Sequence, residues 1–144
     1  MYFFFPSNPS NILPMTQTVS GVDNLIARPE KYLKGETIGL VVNHTSLAGD
    51  GKHSIEHFKS HPNFTLHSLF APEHGLYGTA QDMIHIPDEV DPISGLNINS
   101  LYGKNEASLV PDPALLVDID SLVFDIQDVG ARYYTFIYTM ANCM

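Results

Sequence analysis

The stretch TIGLVVN, residues 37–43, decides the fold class, because no polar residue interrupts it between its first and last positions. A half-exposed strand alternates apolar and polar residues, whereas an unbroken apolar strand is covered on both faces, as in a parallel sheet. Three later stretches predict further strands of the same sheet. They are FTLHSLF (64–70), LNINSLY (96–102, expected at an edge of the sheet) and SLVFDI (121–126).

Helical segments separate these strands along the chain. Apolar residues recur at helical spacing in residues 21–33 and 53–61, and Pro29 divides the first segment into two short pieces. A third helix is expected to begin at Asp112, a capping residue followed by a proline, and a fourth at Ala131. This alternation predicts an α/β protein with a Rossmann-like, doubly wound and mainly parallel sheet.

The composition is that of a globular protein. The 144 residues are 44% hydrophobic, and no stretch approaches the ~20 apolar residues of a membrane-spanning helix. A net charge of −9 with only 7 Lys and Arg argues against nucleic acid as a partner. The single cysteine, Cys143, permits no intrachain disulfide and no cysteine-bound zinc.

The two ends of the chain differ from its middle. Residues 1–20 lack the features of a secretory signal, so we expect a disordered or loosely attached arm and, by default, a cytoplasmic protein. Met15 is an alternative start, and a misassigned N-terminus would leave a periplasmic or secreted protein open. Residues 21–144 form the predicted domain. Its amphipathic pattern still runs at the last residues, TMANCM, so we expect it to be truncated.

Polar side chains follow three of the predicted strands at the point where each strand ends. Ligands of parallel α/β sheets bind beyond the carboxyl ends of the strands, so we expect these side chains at one rim. They are Asn43 and His44, then Glu73 and His74, then Asp125, Gln127 and Asp128. Neither G-x-G-x-x-G nor G-x-x-x-x-G-K-[ST] occurs, so the sequence predicts no nucleotide cofactor.

Glu73 is the candidate general acid of this rim. It lies in LFAPEHGLYG, residues 69–78, among mostly apolar neighbours. An apolar environment raises the pKa of a carboxyl group, which is how a glutamic acid stays protonated near neutrality and can donate a proton. The structural alternative is a glutamate that caps the next turn or pairs with a cation.

The DIQD turn supplies further charged residues. Asp125 and Asp128 are candidates for a nucleophile or base, and Arg132 is spaced to pair with Asp128 at the start of a helix. Arg132 is otherwise suited to an anionic substrate group, because its planar guanidinium fits a carboxylate. Tyr134 either packs in the core or forms part of an aromatic surface on which a sugar could stack. The rim histidines and carboxylates also permit a metal site, although no ligand spacing such as HExxH appears.

Residues 75–95 form a long connection that contains two prolines and several acids. A connection of ~20 residues is unusual in a compact domain, and it is either a functional loop or a solvated excursion.

Four motifs occur in order along the chain: NHTSLAG after the first strand, LFAPEHGLYG after the second, then VDPISGLNINSLYGK and LVFDIQDVGARYYTFIYTM. They resemble the exo-β-N-acetylmuramidase family of the NamZ type, from about Gly21 to the last residue. The resemblance implies a glycosidase that releases N-acetylmuramic acid from the non-reducing ends of peptidoglycan fragments in cell-wall turnover or recycling. It also implies a Rossmann-like N-terminal domain followed by a C-terminal domain of comparable or larger size.

The resemblance also implies roles for individual residues. Glu73 falls on the glutamate of the PEHG motif, the expected catalytic acid, and Arg132 is the candidate for the lactyl carboxylate of muramic acid. The other motif positions imply the lining of the pocket: Asn43, His44, His74, Asp125, Gln127, Asp128 and Tyr134. The family pattern G-x-x-x-A-G after PEHG is replaced here by GTAQDMIHI, residues 78–86, which changes the expected pocket wall.

Alternatives stay open at this point. The second catalytic group is a carboxylate, Asp125 or Asp128, or the 2-acetamido group of the substrate itself. Besides the glycosidase, the rim permits a metal-dependent hydrolase or a non-catalytic domain that binds muropeptides. The sequence does not predict the oligomeric state.

Overall fold

One five-stranded sheet forms the centre of the computed structural model, which describes residues 18–33, 36–78, 89–102 and 109–144. Its order is β3-β4-β2-β1-β5. The strands are β1 Thr37–Val42, β2 Thr65–Ala71, β3 Glu89–Val90, β4 Asn97–Ser100 and β5 Ser121–Asp125. All neighbours pair in parallel except β3 and β4, which are antiparallel. The predicted α/β class with a mainly parallel sheet is confirmed.

Short helices connect these strands. They are α1 Gly21–Ala27, α2 Ser54–Phe58 and α3 Phe136–Cys143, with 3-10 turns at Pro29–Lys31 and Pro113–Leu115. In α1, the Ser20 hydroxyl accepts the N–H of Asp23, and the Asp23 carboxylate accepts the N–H of Ser20, which forms a capping box. Pro29 begins the second helical piece, as the sequence predicted.

Three predicted elements differ from the structure. The helix expected from Ala131 begins five residues later at Phe136, because residues 131–134 form a single turn closed by the N–H of Tyr134 on the carbonyl of Ala131. The helix expected at Asp112 is only a 3-10 turn, although Asp112 caps it by accepting the N–H of Ala114. The strand expected at the edge, β4, lies second, because β3 pairs outside it.

The core lies on both faces of the sheet. The larger cluster lies on the face that α1 and α2 cover, where Leu40, Val42 and Phe58 are fully buried. The smaller cluster contains Val41 and Phe70 from the other face. Cover on both faces explains why β1 is apolar without alternation. Within the described parts of the chain, no helix is long and apolar enough to span a bilayer.

Two predicted segments fall partly outside the described residues. Residues 1–17 of the expected arm are not described, whereas residues 18–20 lead directly into α1. The connection 75–95 is described at its two ends only, since residues 79–88, which include most of the GTAQDMIHI departure, are not described. Its second end contains β3.

Candidate active site

The carboxyl ends of three adjacent strands bring the predicted rim together. β1 lies between β2 and β5 in the sheet, so Asn43 and His44 lie between the PEHG loop and the DIQD turn. The register supports this, because the last residue of β1 pairs with Asp125. Parallel strands therefore place residues that are about 30 and 80 positions apart in the sequence at one edge.

The PEHG loop leaves β2 through a tight turn with an unusual backbone. His74, Gly75 and Gly78 have φ angles of 70°, 76° and 66°, and the N–H of Gly75 donates to the carbonyl of Pro72 at 3.0 Å. A histidine in the left-handed region is uncommon, and such strain is concentrated at functional sites. Leu76 is buried in the core and fixes the far side of the turn.

Two cavities adjoin at this loop. The smaller, about 230 Å³, is lined by Asn43, His44, Thr45, Glu73, His74, Gly78, Val129, Tyr134 and Phe136. The larger, about 420 Å³, is lined by Glu73, His74, Tyr133, Tyr134, Thr135 and Phe136. The larger one falls within the range of ~300–1,000 Å³ typical of small-molecule sites. Glu73 and His74 border both cavities, so they lie where the two meet.

Glu73 is half-buried, and its carboxylate accepts a hydrogen bond from the hydroxyl of Thr135 at 3.0 Å. Thr135 precedes α3, so the late start of that helix brings a hydroxyl to the PEHG loop. Among the residues that the structure describes, no cation forms an ion pair with the Glu73 carboxylate. Glu73 is therefore held by one neutral donor at the junction of the cavities.

Asn43 is buried and organises the turn that follows β1. Its side-chain oxygen accepts the N–H and the hydroxyl of Thr45 at 2.9 and 2.7 Å, while its own N–H donates to the hydroxyl of Ser46 at 3.0 Å. Its Nδ2 has no partner in the described part of the chain. The turn is thereby fixed, and it presents the exposed His44 to the smaller cavity.

His53 supports this turn from behind, a role that sequence reasoning missed. Its Nδ1 accepts the N–H of Ile55 at 3.3 Å as the cap of α2, so the proton lies on Nε2, which donates to the carbonyl of Asn43 at 2.9 Å. The sequence placed His53 at a helix start but offered no signal for the contact with Asn43.

Asp125 lies beneath the rim and borders neither cavity. It is 9% exposed, and burial raises the pKa of its carboxyl group. Ser54 and His53 favour the charged form of Asp125, but within the described residues neither the hydroxyl of Ser54 nor Oδ2 of Asp125 has a hydrogen-bond partner, so burial dominates. The hydroxyl of Ser46 donates to the main-chain carbonyl of Asp125.

The remaining predicted site residues are exposed and lie outside the lining of both cavities. The N–H of Gln127 donates to the hydroxyl of Thr45 at 3.2 Å, and the carboxylate of Asp128 accepts the N–H of Gly130 at 3.0 Å. The expected pair between Asp128 and Arg132 is wrong: no ion pair forms, because no helix begins at residue 131 to align them.

The structure thus brings together five predicted residues: Asn43, His44, Glu73, His74 and Tyr134. It adds Thr45, Gly78, Val129, Tyr133, Thr135 and Phe136 to the lining. Within residues 18–33, 36–78, 89–102 and 109–144, no three His, Cys, Asp or Glu side chains are grouped so that they could hold a metal ion.

Comparison with known proteins identifies the family of the chain. Residues 38–144 match the family model described as exo-beta-N-acetylmuramidase NamZ, N-terminal. The chain is 42% identical over 131 residues to the peptidoglycan beta-N-acetylmuramidase NamZ of Bacillus subtilis (strain 168). This match covers 91% of this chain and 30% of that protein.

Two crystal structures of DUF1343 family proteins from Bacteroides fragilis NCTC 9343 are also similar. One has a TM-score of 0.75 and is 36% identical in sequence, and the match covers 90% of this chain and 31% of that protein. The other has a TM-score of 0.64 and is 31% identical in sequence, and the match covers 88% of this chain and 30% of that protein. The chain therefore spans about a third of the length of these relatives. It belongs to the NamZ exo-β-N-acetylmuramidase family, of which it carries the N-terminal region.

Proposed function

We propose that this chain carries the catalytic acid of a glycosidase that releases N-acetylmuramic acid from the non-reducing ends of peptidoglycan fragments. Family membership and the name of the Bacillus subtilis relative support the reaction class. The observation that carries the proposal is the position of Glu73, the one acid among the described residues that border the two cavities. A general acid must lie beside the bond it protonates.

The two cavities correspond to the two sides of a glycosidic bond. The terminal muramic acid occupies the smaller cavity beside Asn43 and His44, and the leaving part occupies the larger one beside Tyr133 and Tyr134. Glu73 then lies next to the bridging oxygen and gives it a proton as the bond breaks. The hydroxyl of Thr135 holds one carboxyl oxygen, Oε2, and leaves the other for the substrate.

The second catalytic group is the 2-acetamido group of the substrate in this proposal. A mechanism with two carboxylates needs a second acid facing the sugar. Asp125 is buried beneath the rim, and Asp128 is exposed outside the lining and bound to the N–H of Gly130. The substrate's own amide oxygen supplies what neither aspartate is placed to supply.

Arg132 remains the proposed partner of the lactyl carboxylate. It is exposed, it makes no ion pair with any residue that the structure describes, and it directly precedes Tyr133 and Tyr134, which border the cavities. A flexible side chain at that position suits an anionic group at the mouth of the site.

The proposal is tested with 4-nitrophenyl β-N-acetylmuramide and the matching N-acetylglucosaminide, which lacks the lactyl group. We expect nitrophenol release from the muramide, with little from the glucosaminide, and no loss of activity with a chelator. Equal release from both sugars would contradict the proposed specificity, and loss of activity with the chelator would favour a metal-dependent hydrolase.

A second candidate function is binding of muropeptides without hydrolysis. It is favoured by the presence of one acid among the described residues that line the two cavities, because hydrolysis by two carboxylates needs a second acid facing the sugar. Titration with N-acetylmuramic acid followed by NMR distinguishes the two: saturable binding without nitrophenol release supports this candidate.

A further inference from the structure

A hydrogen bond links the far end of the PEHG loop to a different part of the fold. The hydroxyl of Tyr77 donates to Oδ1 of Asp91 at 2.5 Å, across 14 positions in the sequence. Tyr77 follows the buried Leu76 and precedes Gly78, whereas Asp91 follows β3. Asp91 is one of the acids of the connection 75–95, to which the sequence assigned no partner.

Asp91 is fully buried, and hydrogen bonds to residues other than Tyr77 fix its position. Its Oδ2 accepts the N–H and the hydroxyl of Ser94, both at 2.6 Å. Its main chain closes the turn, because its N–H donates to the carbonyl of Leu96 at 2.8 Å and its carbonyl accepts the N–H of Gly95 at 2.7 Å. A buried carboxylate held by neutral donors makes strong, short hydrogen bonds.

The loop needs such an anchor because its backbone is strained. His74 is a non-glycine residue at φ 70°, a conformation that costs free energy and persists only where surrounding contacts over-determine it, whereas Gly75 and Gly78 adopt their positive φ without strain. Leu76 supplies an apolar contact and Thr135 holds Glu73. The bond from Tyr77 to Asp91 is the polar anchor at the end where the loop meets His44.

The geometry at Gly78 connects this anchor to the smaller cavity. A Cβ built on Gly78 would lie 2.7 Å from Nδ1 of His44, so the loop backbone presses directly against that ring. Both residues line the smaller cavity. A shift of Tyr77, the neighbour of Gly78, would therefore move this wall and His44 with it.

We propose that Tyr77 and Asp91 are positioning residues of the site: their hydrogen bond holds the PEHG loop so that Glu73, His74 and Gly78 keep their places around the cavities. Neither residue is expected to touch the reacting atoms. Asp91 is fully buried, and neither residue lines either of the two cavities described above. The effect on ligand binding rests on the proposed function, whereas the effect on the loop does not.

The test compares Tyr77→Phe with Tyr138→Phe, a matched removal of a hydroxyl from a tyrosine that is 64% exposed. Two properties are measured by NMR in the same samples. The first, without ligand, is the set of chemical shifts and amide exchange rates of Gly75 and Gly78 and the imidazole signals of His74. The second is the affinity for N-acetylmuramic acid.

For Tyr77→Phe we expect shifted loop signals and amide exchange at Gly75 faster by about tenfold, the order of magnitude of one lost hydrogen bond. We also expect a several-fold weaker affinity, with the exchange of Leu40 in β1 unchanged. Tyr138→Phe should match the wild type. Loop signals and exchange rates like those of the wild type would overturn the inference.

The outcomes separate the inference from the proposed function. If the wild-type chain binds no N-acetylmuramic acid, the proposed function fails, and the ligand-free loop measurements still decide whether Tyr77 positions the loop. If the affinity of Tyr77→Phe equals that of the wild type although the loop has moved, the positioning role is wrong.

Discussion

Asp125 shows how the position of a carboxyl group, rather than its presence in a motif, decides what it does. The sequence placed it among the candidates for a nucleophile or base, at the end of an apolar strand. In the structure it is 9% exposed, borders neither cavity, and has its pKa raised by burial. It therefore acts on the stability of the fold from beneath the rim.

The raised pKa predicts a specific pH dependence of stability. Because folded Asp125 holds its proton more tightly than the unfolded chain does, its contribution to the free energy of unfolding falls as pH rises from about 4, the unfolded value, through the raised folded value. Asp125→Asn should remove this fall, so its stability declines less than that of the wild type over that window.

Urea unfolding at a series of pH values measures this effect. The control is Asp118→Asn, which changes an exposed aspartate and should leave the wild-type profile intact. Identical pH profiles for Asp125→Asn and the wild type would show that burial of Asp125 does not penalise its charge.

Gly78 is the residue through which backbone conformation affects the smaller cavity. Gly78→Ala should lower stability by about 1–2 kcal/mol, the cost of a side chain at positive φ, and should also displace His44, since the new Cβ would lie 2.7 Å from its ring. Gly51→Ala is a matched control, because Gly51 has φ 81° and no neighbouring atom within 4 Å.

Thermal unfolding should therefore show similar losses for both alanine variants, whereas titration with N-acetylmuramic acid should show weaker binding for Gly78→Ala alone. Equal affinities for the two variants would mean that the wall formed by Gly78 and His44 plays no part in binding.

At the scale of single residues, the site residues that follow the end of a strand were predictable from the sequence. Site residues that are placed by contacts with distant parts of the chain were not. Glu73 and His44 were predictable because a parallel sheet aligns its strand ends. Thr135 was not, because its hydroxyl meets Glu73 across 62 positions of the chain. The bond between Tyr77 and Asp91 carries no local signal either.

At the scale of elements, β1 shows why an unbroken apolar pattern predicts a central strand. Both of its neighbours are parallel strands, and residues 38 and 40–42 are fully buried. The register with β2 shifts between Ile38 and Gly39, as at a bulge. Glycine occurs there because the other side chains leave no room for a Cβ.

Gly39→Ala is therefore expected to be strongly unfavourable. Its Cβ would lie 2.8 Å from Leu122 and 2.9 Å from both Ile119 and Phe70, so we expect a loss of about 1–3 kcal/mol from overpacking. Gly21→Ala is the control, since that position has no atom within 4 Å and opens α1. Chemical unfolding should separate the two, and a Gly39→Ala variant as stable as Gly21→Ala would contradict the packing described for β1.

Helix starts were the least predictable elements. The late start of α3 follows from the turn at residues 131–134, which the sequence did not reveal because aromatic residues at helical spacing fit a helix equally well. The difference matters for function, since it exposes Tyr133 and Tyr134 and brings Thr135 to Glu73.

At the scale of the whole molecule, the order of the strands accounts for the site. The chain runs outward from β1 to β2 and β4 on one side and returns to β5 on the other, so the ends of β1, β2 and β5 meet. The class of the sheet was predictable from apolar runs alone. The shape of the two cavities was not, because residues of three separate segments, 43–45, 73–78 and 129–136, form it.

The central claim is that Glu73 donates a proton to the leaving oxygen. Glu73→Gln keeps the size of the side chain and removes the proton, and Glu56→Gln, on the exposed side of α2, is the control. The measurement is hydrolysis of two substrates: a natural disaccharide with N-acetylmuramic acid at its non-reducing end, and the 2,4-dinitrophenyl muramide, whose leaving group needs no proton.

We predict that Glu73→Gln lowers the rate on the disaccharide by about 10²-fold or more, the usual contribution of a general acid, and lowers the rate on the dinitrophenyl muramide far less. Glu56→Gln should behave like the wild type with both substrates. Equal losses on the two substrates, or nearly normal hydrolysis of the disaccharide by Glu73→Gln, would contradict the assignment of Glu73 as the acid.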